Sequence, residues 1–428
     1  MDTFGFGSRG VAMGGAQSAD AKDFSANYYN PAALTRVKRL ELSIGYFRAS
    51  HSLHTNGNDS HVDPVRGMVA GVVAPGEVFR VPFAFGLALH LPDDRVSRVR
   101  ALRQEEPRWE LYDNRNQRLF LVANVAIRPF PWLALGGGIA FMSSTRAKLD
   151  ISGSANIFKP ENSALRHEVD ADLTSVRTPQ VGALVSLSDR VRMSAVYRAE
   201  FKLALDLGAH LAGDISGLTT AKYDLVTHSI NNFLPQQVVL GGAWDLTPWL
   251  SATVDATWIQ WSAYEAPVAT LDVGLDIPPP AGGWPLGITP PSVPPKSPTL
   301  PLRMQDRVVP RVGAEARMLR SGSLSLFARG GYEFAKSPIP EQNGATNYID
   351  RDRHALSFGL GGLLVSASET IPGELRLDLH AQWNHLVSGT TVKASATDLV
   401  GDYTAGGNIV NLGATLTFAA GSEARSGR

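Results

Sequence analysis

The chain has 428 residues, with 40 basic and 40 acidic side chains and therefore no formal net charge. A neutral chain has no overall field that would draw it to nucleic acid, which speaks against non-specific DNA binding. The absence of cysteine excludes disulfides, thiolate metal sites and a cysteine nucleophile. Charged residues make up 19% of the chain, below the roughly 25% of ordinary soluble domains.

The first motif is the glycine-rich stretch GFGSRGVAMGGA at residues 5–16. Gly5, Gly7 and Gly10 have the G-x-G-x-x-G spacing of dinucleotide-binding loops, which depends on a strand before the first glycine. Too few residues precede Gly5 to form that strand. We therefore predict that these glycines allow compact packing and that they do not bind phosphate.

Strict alternation of apolar and polar residues dominates the rest of the chain. In Val191–Asp206 the apolar residues from Val191 to Leu205 share one face, and the opposite face carries Arg192, Arg198 and Lys202. Successive strand side chains point to opposite sides, so this stretch predicts one long strand. The same pattern recurs at 40–48, 119–128, 250–258, 312–318, 324–334, 374–384 and 410–418. The chain is predicted to be all-β.

The lengths of the connections predict the architecture. Short turns, such as 129–132, 188–190 and 246–249, alternate with long polar joints, such as 51–63 and 207–235. About fourteen segments, with short turns at one end and long loops at the other, indicate a transmembrane antiparallel β-barrel. A soluble sandwich is the less favoured alternative, because its strands and loops are rarely this long and this uneven.

The chain divides into regions by composition. A fourteen-stranded lumen is too wide to be filled by its own side chains, so a segment rich in small residues is predicted to plug it. The expected regions are an N-terminal hatch at 1–39, the barrel at 40–418 with a proline-rich extracellular loop at 265–303, and a C-terminal tail at 419–428. An aromatic residue at the end of the last strand, here Phe418, is typical of proteins recognised by the outer-membrane assembly machinery.

No catalytic or metal site is predicted. His51, His54 and His61 lie close to two aspartates and could hold Zn²⁺ or Cu²⁺, but a solvated loop is the favoured interpretation. The sequence has no G-x-S-x-G, Walker or H-E-x-x-H motif. We expect neither an enzyme nor a cofactor.

Three stretches of the chain, at 5–34, 235–264 and 306–343, carry a resemblance to a known family. The first, GFGSRGVAMGGAQSADAKDFSANYYNPAAL, resembles the N-terminal hatch of the FadL/TodX family of outer-membrane channels for hydrophobic compounds. Gly14 and Gly15 stand in its G-G-A stretch, and Asn30, Pro31 and Ala32 match its turn before the first strand. These five residues are the expected hatch and gating residues.

The resemblance implies a function in the bacterial outer membrane. Extracellular loops would capture a long-chain fatty acid or an aromatic hydrocarbon, the hatch would move, and the ligand would leave sideways into the membrane lipid. The N-terminus lacks the features of a secretory signal, which we interpret as processing or trimming. A monomer suffices for this route. The alternative is a barrel of the same fold that does not transport and acts as an adhesin or a ligand sensor.

The resemblance also places the lateral opening at the third strand, here 81–92. Gly86 is the candidate for its break, and a glycine that only makes room for a neighbour is the equally weighted alternative. Candidate ligand contacts are apolar in the hatch and cationic in the lumen, where a cation would meet a carboxylate. They are Phe4, Phe6, Arg192, Arg198, Lys202 and Arg376.

Overall fold

The structure is a computed structural model. It describes residues 3–94, 106–113, 119–154, 164–215, 219–264, 270–279, 283, 302–366, 373–395, 398 and 400–420. The expected proline-rich loop at 265–303 therefore lies mostly outside the described residues.

The described residues form eighteen strands and a few short helices. The strands are β1 (Leu40–Thr55), β2 (Asn58–Asp59), β3 (Val65–Val78), β4 (Val81–Pro92), β5 (Phe120–Phe130), β6 (Leu133–Ser154), β7 (Ala164–Ser186), β8 (Val191–Arg198), β9 (Phe201–Ile215), β10 (Thr219–Leu234), β11 (Gln237–Thr247), β12 (Leu250–Ile259), β13 (Thr270–Asp276), β14 (Arg307–Ser321), β15 (Leu324–Ala335), β16 (Arg353–Ser366), β17 (Gly373–Thr391) and β18 (Tyr403–Ala420). The helices are α1 (Ser8–Ala12), α2 (Ala26–Tyr29) and α3 (Glu110–Asp113), with 3₁₀ turns at Pro31–Arg36 and Trp261–Ala263.

Fourteen of these strands close into an antiparallel barrel, as predicted. Around the barrel they follow the order β1, β3, β4, β5, β6, β7, β8, β11, β12, β14, β15, β16, β17 and β18. The last strand closes on the first through a continuous register from Leu40↔Ala420 to Thr55↔Ala405. Closure leaves no strand edge along this seam, which is what a hydrocarbon environment requires of a β structure.

The outer face is apolar and the inner face is polar. On β17, Leu375, Leu377 and Leu379 are each more than 40% exposed, whereas Asp378 and His380 between and beside them are buried. Trp132 and Trp249, in the short turns at one end, are also exposed. Leucines on an outward face with aromatics at its rim are typical of a lipid-facing band. Among the described residues, no helix has the length and apolarity needed to cross a bilayer.

Four strands, β2, β9, β10 and β13, lie outside the barrel, and β9 corrects one prediction. The expected single strand from Val191 to Leu205 is wrong, because β8 ends at Arg198 and β9 begins at Phe201 after a two-residue break. The chain then crosses the barrel mouth, and β9 pairs in parallel with the outer part of β6, as in Leu149↔Ala209. Apolar and polar residues keep alternating through the bend. The alternation in the sequence therefore does not reveal that the chain changes direction there.

Two of the long joints also contain strand structure. The joint expected at 207–235 is largely the β9–β10 hairpin, paired from Thr219↔Ile215 to Leu234↔Phe201. The joint expected at 51–63 begins later, because β1 continues to Thr55. Polar strands above the membrane have the composition of loops, which is why the sequence did not separate them.

The N-terminal segment fills the lumen as a hatch. Its residues from Phe4 to Leu34 are almost all buried, and α1 contacts β15, β16, β17 and β18. The Ser8 amide donates to Thr415 Oγ1 at 3.1 Å, and Asn411 Nδ2 donates to the Phe4 carbonyl at 3.2 Å. The start of the chain is therefore bonded to the last strand of the barrel.

Candidate functional site

The hatch meets the barrel wall at glycines. On eight strands an inward glycine lies so close to the hatch that a Cβ atom would fall within 2.5 Å of a hatch atom. They are Gly71, Gly86, Gly136, Gly182, Gly241, Gly313, Gly331 and Gly359. An interior glycine often marks the close approach of another backbone. These eight glycines therefore form a ring of depressions in the inner wall, here called sockets, into which the hatch fits.

The predicted gating turn occupies two of these sockets. A Cβ at Gly182 would lie 2.1 Å from Asn30 Oδ1, and one at Gly136 would lie 2.5 Å from the Ala32 nitrogen. Asn30 Nδ2 donates to the Ser18 carbonyl at 2.8 Å and to the Ala183 carbonyl at 3.2 Å. Asn30 Oδ1 accepts from the Ala32 amide, so this one side chain joins two parts of the hatch to the wall.

The predicted glycine pair touches the opposite wall. Gly14 and Gly15 have φ values of 65° and 77°, a left-handed conformation that other residues adopt only at a cost. The Gly14 nitrogen would lie 2.1 Å from a Cβ at Gly331. Gly15 packs against the Arg311 side chain. The turn requires glycine at both positions because of its conformation and its proximity to the wall.

A buried ionic network also anchors the hatch. Arg9 Nη2 lies 2.6 Å from Asp20 Oδ2 within the hatch, and Arg9 Nε lies 2.9 Å from Glu315 Oε2 on β14. Glu315 continues to Arg329 at 2.6 Å, and Arg329 to Asp378 at 2.7 Å. Burial raises the cost of each charge, so the network is stable only while every member keeps its partner.

Within the hatch, Asp20 is the central residue of this ionic network. Its Oδ1 accepts from Arg36 at 3.1 Å and from Arg192 of β8 at 2.9 Å. Burial raises the pKa of Asp20, but Lys22, Arg36 and Arg9 outweigh it and hold that pKa far below its usual range. The carboxylate therefore stays ionised and keeps its cations throughout the neutral range.

A second contact pairs a hatch serine with a barrel aspartate. The Ser18 amide donates to Asp255 Oδ2 at 3.0 Å, and its hydroxyl donates to Asp255 Oδ1 at 2.7 Å. The Ser18 hydroxyl also lies 2.8 Å from the hydroxyl of Ser194 on β8. The hatch is thus fixed by short polar contacts on several sides of the lumen.

A large cavity lies between the hatch and the long connections. It holds about 1230 Å³ of atom-free space, part of it open to the outside. Its apolar lining includes Tyr28 from the hatch and side chains from the wall and from the outer segments, among them Tyr112, Phe120, Met142, Phe201 and Trp261. Concave apolar surface with a few convergent polar groups is typical of small-molecule sites.

Four arginines are among the polar side chains that line the cavity. Arg311 Nε lies 2.5 Å from Glu333 Oε2, and Arg353 bonds the other oxygen of the same carboxylate. Arg307 lies 5.7 Å above the Trp261 ring and also lines the cavity. Two guanidinium groups therefore share the Glu333 carboxylate, and guanidinium groups are good partners for an anionic group.

Arg198 joins the cavity to the hatch. It lines the cavity, and its Nη2 donates to the carbonyls of Tyr28 and Tyr29 at 2.7 and 3.1 Å. Its guanidinium carbon lies 4.7 Å from the Tyr28 ring centre. A ligand that competes for this guanidinium would act on the hatch backbone directly.

The other predicted contact residues are not among those that line this cavity. Phe4 and Phe6 are buried within the hatch, where Phe6 packs on Phe24 at 5.3 Å. Arg192 bonds Asp20 and Asp245, and Arg376 approaches Asp23 at 3.9 Å. Lys202 is exposed. Of the six, only Arg198 is among the residues that line this cavity.

Gly86 lies in an unbroken part of the wall. It stands opposite Val73 on β3 and Asn124 on β5, and both registers continue past it. A Cβ there would lie 2.2 Å from Asn27 Oδ1 of the hatch. Asn27 is in turn held by Asn124 Nδ2 at 2.9 Å. The geometry favours the tight-contact interpretation of this glycine.

The histidine cluster shows no metal-binding geometry. Among the described residues no group of three His, Cys, Asp or Glu side chains is placed to hold a metal ion. His51 Nδ1 bonds the Asp63 carbonyl at 2.9 Å, and its ring lies 5.8 Å from that of Phe4.

A match between the sequence and a family model assigns the chain to a protein family. Residues 115–418 match the model of the family described as outer membrane protein transport protein (OMPP1/FadL/TodX). The chain belongs to this FadL/TodX family. It is therefore a transport channel of the bacterial outer membrane and not an enzyme. No curated protein sequence matches the chain.

Solved structures show that the FadL-type fold extends over nearly the whole chain. A Pseudomonas aeruginosa FadL homologue aligns at 14% identity with a TM-score of 0.55, covering 97% of both chains. The P. putida toluene transporter TodX aligns at 14% identity with a TM-score of 0.56, covering 98% of this chain and 99% of its own. The monoaromatic hydrocarbon channel CymD aligns at 14% identity with a TM-score of 0.56, covering 98% of both chains.

Sequence reasoning missed most of the cavity. Phe120, Met142 and Phe201 belong to different strands, and no spacing along the chain relates them. Two buried arginines of the lining, Arg311 and Arg353, sit on inward positions of alternating strands, where ordinary lumen charges also occur. The shape of the cavity depends on the end of β8 at Arg198. The sequence does not reveal this end, because the apolar alternation continues past it.

Proposed function

We propose that this FadL/TodX protein takes up hydrophobic small molecules, long-chain fatty acids or aromatic hydrocarbons, and releases them sideways into the outer membrane. The observation that carries the proposal is the apolar cavity whose floor is the hatch residue Tyr28 and whose wall includes Arg198. The related channels named for toluene and monoaromatic hydrocarbons support the same class of ligand.

The proposed cycle begins when a ligand enters the cavity from the side of the long connections. Burial of its apolar surface supplies roughly 0.8 kcal/mol per CH₂. A carboxylate, where the ligand has one, would compete with the Tyr28 and Tyr29 carbonyls for Arg198. Loss of these two hydrogen bonds would loosen α2, which leads directly into the Asn30 turn. The hatch would then shift, with Gly14, Gly15, Pro31 and Ala32 leaving their sockets.

Uptake of labelled oleate and labelled toluene tests this proposal in cells that lack their own fatty-acid channel. We expect the protein to restore uptake, and the variant Asn30→Ala to lose it, because Asn30 joins the hatch to the wall at Gly182. Asn343→Ala, an exposed asparagine in an outer connection, serves as the matched control and should transport normally.

Heat-modifiable mobility on gels shows whether each variant is folded. A folded wild-type barrel that admits neither compound would overturn the channel proposal. The adhesin or sensor alternative would then gain support, because it needs only the outer loops and predicts no effect of Asn30.

A further inference from the structure

The connection between β4 and β5 reaches across the outer mouth of the barrel. Arg108 of this connection forms a parallel bridge with Tyr348, which lies in the connection between β15 and β16. Six strands separate β5 from β15 one way round the barrel, and four strands separate β16 from β4 the other way. Residues 107–113, here called the outer lid, therefore extend to the far side of the mouth.

The bridge at Arg108 docks the outer lid on the far connection. The Arg108 amide donates to the Asn347 carbonyl at 3.1 Å, and the Ile349 amide donates to the Arg108 carbonyl at 2.8 Å. Arg108 Nη2 also donates to the Tyr348 hydroxyl at 3.1 Å, and its guanidinium carbon lies 4.6 Å from the centre of that ring. Backbone and side chain thus hold the same point of the lid.

Two further outer connections also hold the lid. Trp109 Nε1 donates to the hydroxyl of Ser60, between β1 and β3, at 3.0 Å. The hydroxyl of Tyr264, which follows β12, donates to Glu110 Oε1 at 3.1 Å. The lid is therefore bonded to three separate parts of the outer rim, which is more than a loop needs in order to join two neighbouring strands.

The cavity lies between the outer lid and the hatch. Leu111 and Tyr112 of α3 line it from the outer side, and Tyr28 of the hatch lines it from within. The Tyr112 ring lies 6.2 Å from that of His51, whose ring lies 5.8 Å from that of the hatch residue Phe4. A molecule that enters the cavity from outside therefore has the lid on one side of it and the hatch on the other.

The charges of the outer lid are paired within the lid. Arg108 and Glu110 are both buried, and Arg108 Nε lies 2.9 Å from Glu110 Oε2. Lifting the lid does not separate this ion pair, so it avoids the cost of leaving a buried charge without its partner. The contacts that are lost involve hydroxyl and backbone groups, which water can solvate. Trp109, only 1% exposed, gives the closed position its apolar contact.

We propose that residues 107–113 act as a lid that covers the outer side of the cavity and must release the connection at 336–352 before a ligand can enter. The proposal rests on the uptake function proposed above and concerns the regulation of entry. The lid moves as one body, because its bridge, its indole and its ion pair all lie within Arg108–Glu110. Release of the lid is then the step that limits how fast the cavity fills.

A disulfide between the lid and the far connection tests this proposal. The chain has no cysteine, so Arg108→Cys with Tyr348→Cys introduces a single bridge at the paired position. Paired residues of neighbouring strands lie about 4.8 Å apart, within the roughly 4.4–6.8 Å that a disulfide spans between Cα atoms. Oleate uptake should be lost on oxidation and return on reduction of the same protein.

A second cysteine pair is the matched control for oxidation. Thr390 and Thr404 stand opposite each other at the outer ends of β17 and β18, with their hydroxyls 2.9 Å apart. A bridge between Thr390→Cys and Thr404→Cys joins two strands that are already neighbours and leaves the lid untouched. This protein should take up oleate in both redox states.

Loosening the lid gives a second test that needs no cysteine. Ser60→Ala with Tyr264→Phe removes the two hydroxyl bonds to the lid and changes no residue of the lid itself. Association of a dansyl-labelled fatty acid with the purified barrel should become about tenfold faster, because the two lost hydrogen bonds favour the closed lid. Thr390→Val with Thr404→Val loses a hydroxyl pair away from the lid and should associate at the wild-type rate.

The outcomes separate the lid from the uptake function. Normal oleate uptake by the oxidised 108–348 protein overturns the lid and leaves the uptake function standing. An unchanged association rate in Ser60→Ala with Tyr264→Phe also overturns it, since the contacts of residues 107–113 would then serve only to pack the outer connections together. No uptake by the folded wild-type protein overturns the uptake function itself, and with it the lid.

Discussion

At the scale of single residues, glycine sets how closely the hatch can approach the wall. Gly331 lies against Gly14, whereas its neighbour Gly330 points away and would place a Cβ 3.9 Å from its nearest atom. The sequence shows that barrel strands contain glycines, but it cannot show which of two adjacent glycines faces a segment that is more than 300 residues away. Gly86 illustrates the difficulty, because its role depends on Asn27.

Gly331→Ala is expected to displace the hatch, and Gly330→Ala is expected to leave it in place. The added methyl group at 331 would lie 2.1 Å from the Gly14 nitrogen, and overpacking of this kind costs about 1–3 kcal/mol. Limited proteolysis of residues 3–39 in the folded barrel measures the displacement. Equal resistance of the two variants to proteolysis would contradict the close contact between Gly331 and Gly14.

At the scale of elements, the period of two predicted the faces of the strands and their number. On β17, the alternation of leucines with Arg376 and Asp378 is enough to assign the lipid side. The same signal failed at Ala199, because an apolar residue in phase fits a strand in lipid and a strand crossing the mouth equally well. The cavity could not be predicted for this reason, since its shape depends on where β8 ends.

Leu377→Arg is expected to destabilise the barrel far more than Val387→Arg on the same strand. Both side chains are exposed, but Leu377 lies within the lipid-facing band and Val387 near the outer end of β17. A cation costs about 2–4 kcal/mol at the bilayer midplane and up to about 1 kcal/mol near its surface. Denaturant unfolding in lipid vesicles, followed by tryptophan fluorescence, gives both values. Similar losses of stability in the two variants would mean that the lipid-facing band lies elsewhere on β17.

At the scale of the whole molecule, the hatch and the barrel share their charges. Asp20 of the hatch is held by Arg192 of β8, and Glu315 of β14 is held by Arg9 of the hatch. The sequence indicated inward charges and a hatch, and it assigned Arg192 to the ligand because charge pairs between distant segments leave no periodic signal. The width of the lumen and the composition of the first segment predicted the plug, and the three-dimensional structure supplied its attachments.

The contacts of Asp20 with Arg9, Arg36 and Arg192 are expected to weaken only in strong acid. The pKa of Asp20 is held far below its usual value near 3.8. A depressed pKa stabilises the folded state above the unfolded-state pKa, and this stabilisation is lost as the pH falls through the lower folded-state pKa. The difference in hydrogen exchange of the hatch between the wild type and Asp20→Asn, corrected for the intrinsic rate at each pH, should be constant from pH 8 to about 4.5 and shrink only well below pH 4.

Asp20→Asn provides the control for this pH dependence. The variant should exchange faster at every pH, because Arg9, Arg36 and Arg192 lose their common anion whatever the acidity. An exchange difference between the wild type and Asp20→Asn that disappears between pH 5 and pH 6 would contradict the depressed pKa of Asp20.

The bonds from Ser8 to Thr415 and from Asn411 to Phe4 join positions 407 apart in the chain. Phe4 and Ser8 therefore lack these two partners until the last strand has been made and laid against β1. Contacts of such sequence separation form late in folding, because the whole intervening loop must close first. A barrel that has not yet closed cannot make these two bonds, so order at Phe4 and Ser8 marks the molecules whose assembly is complete.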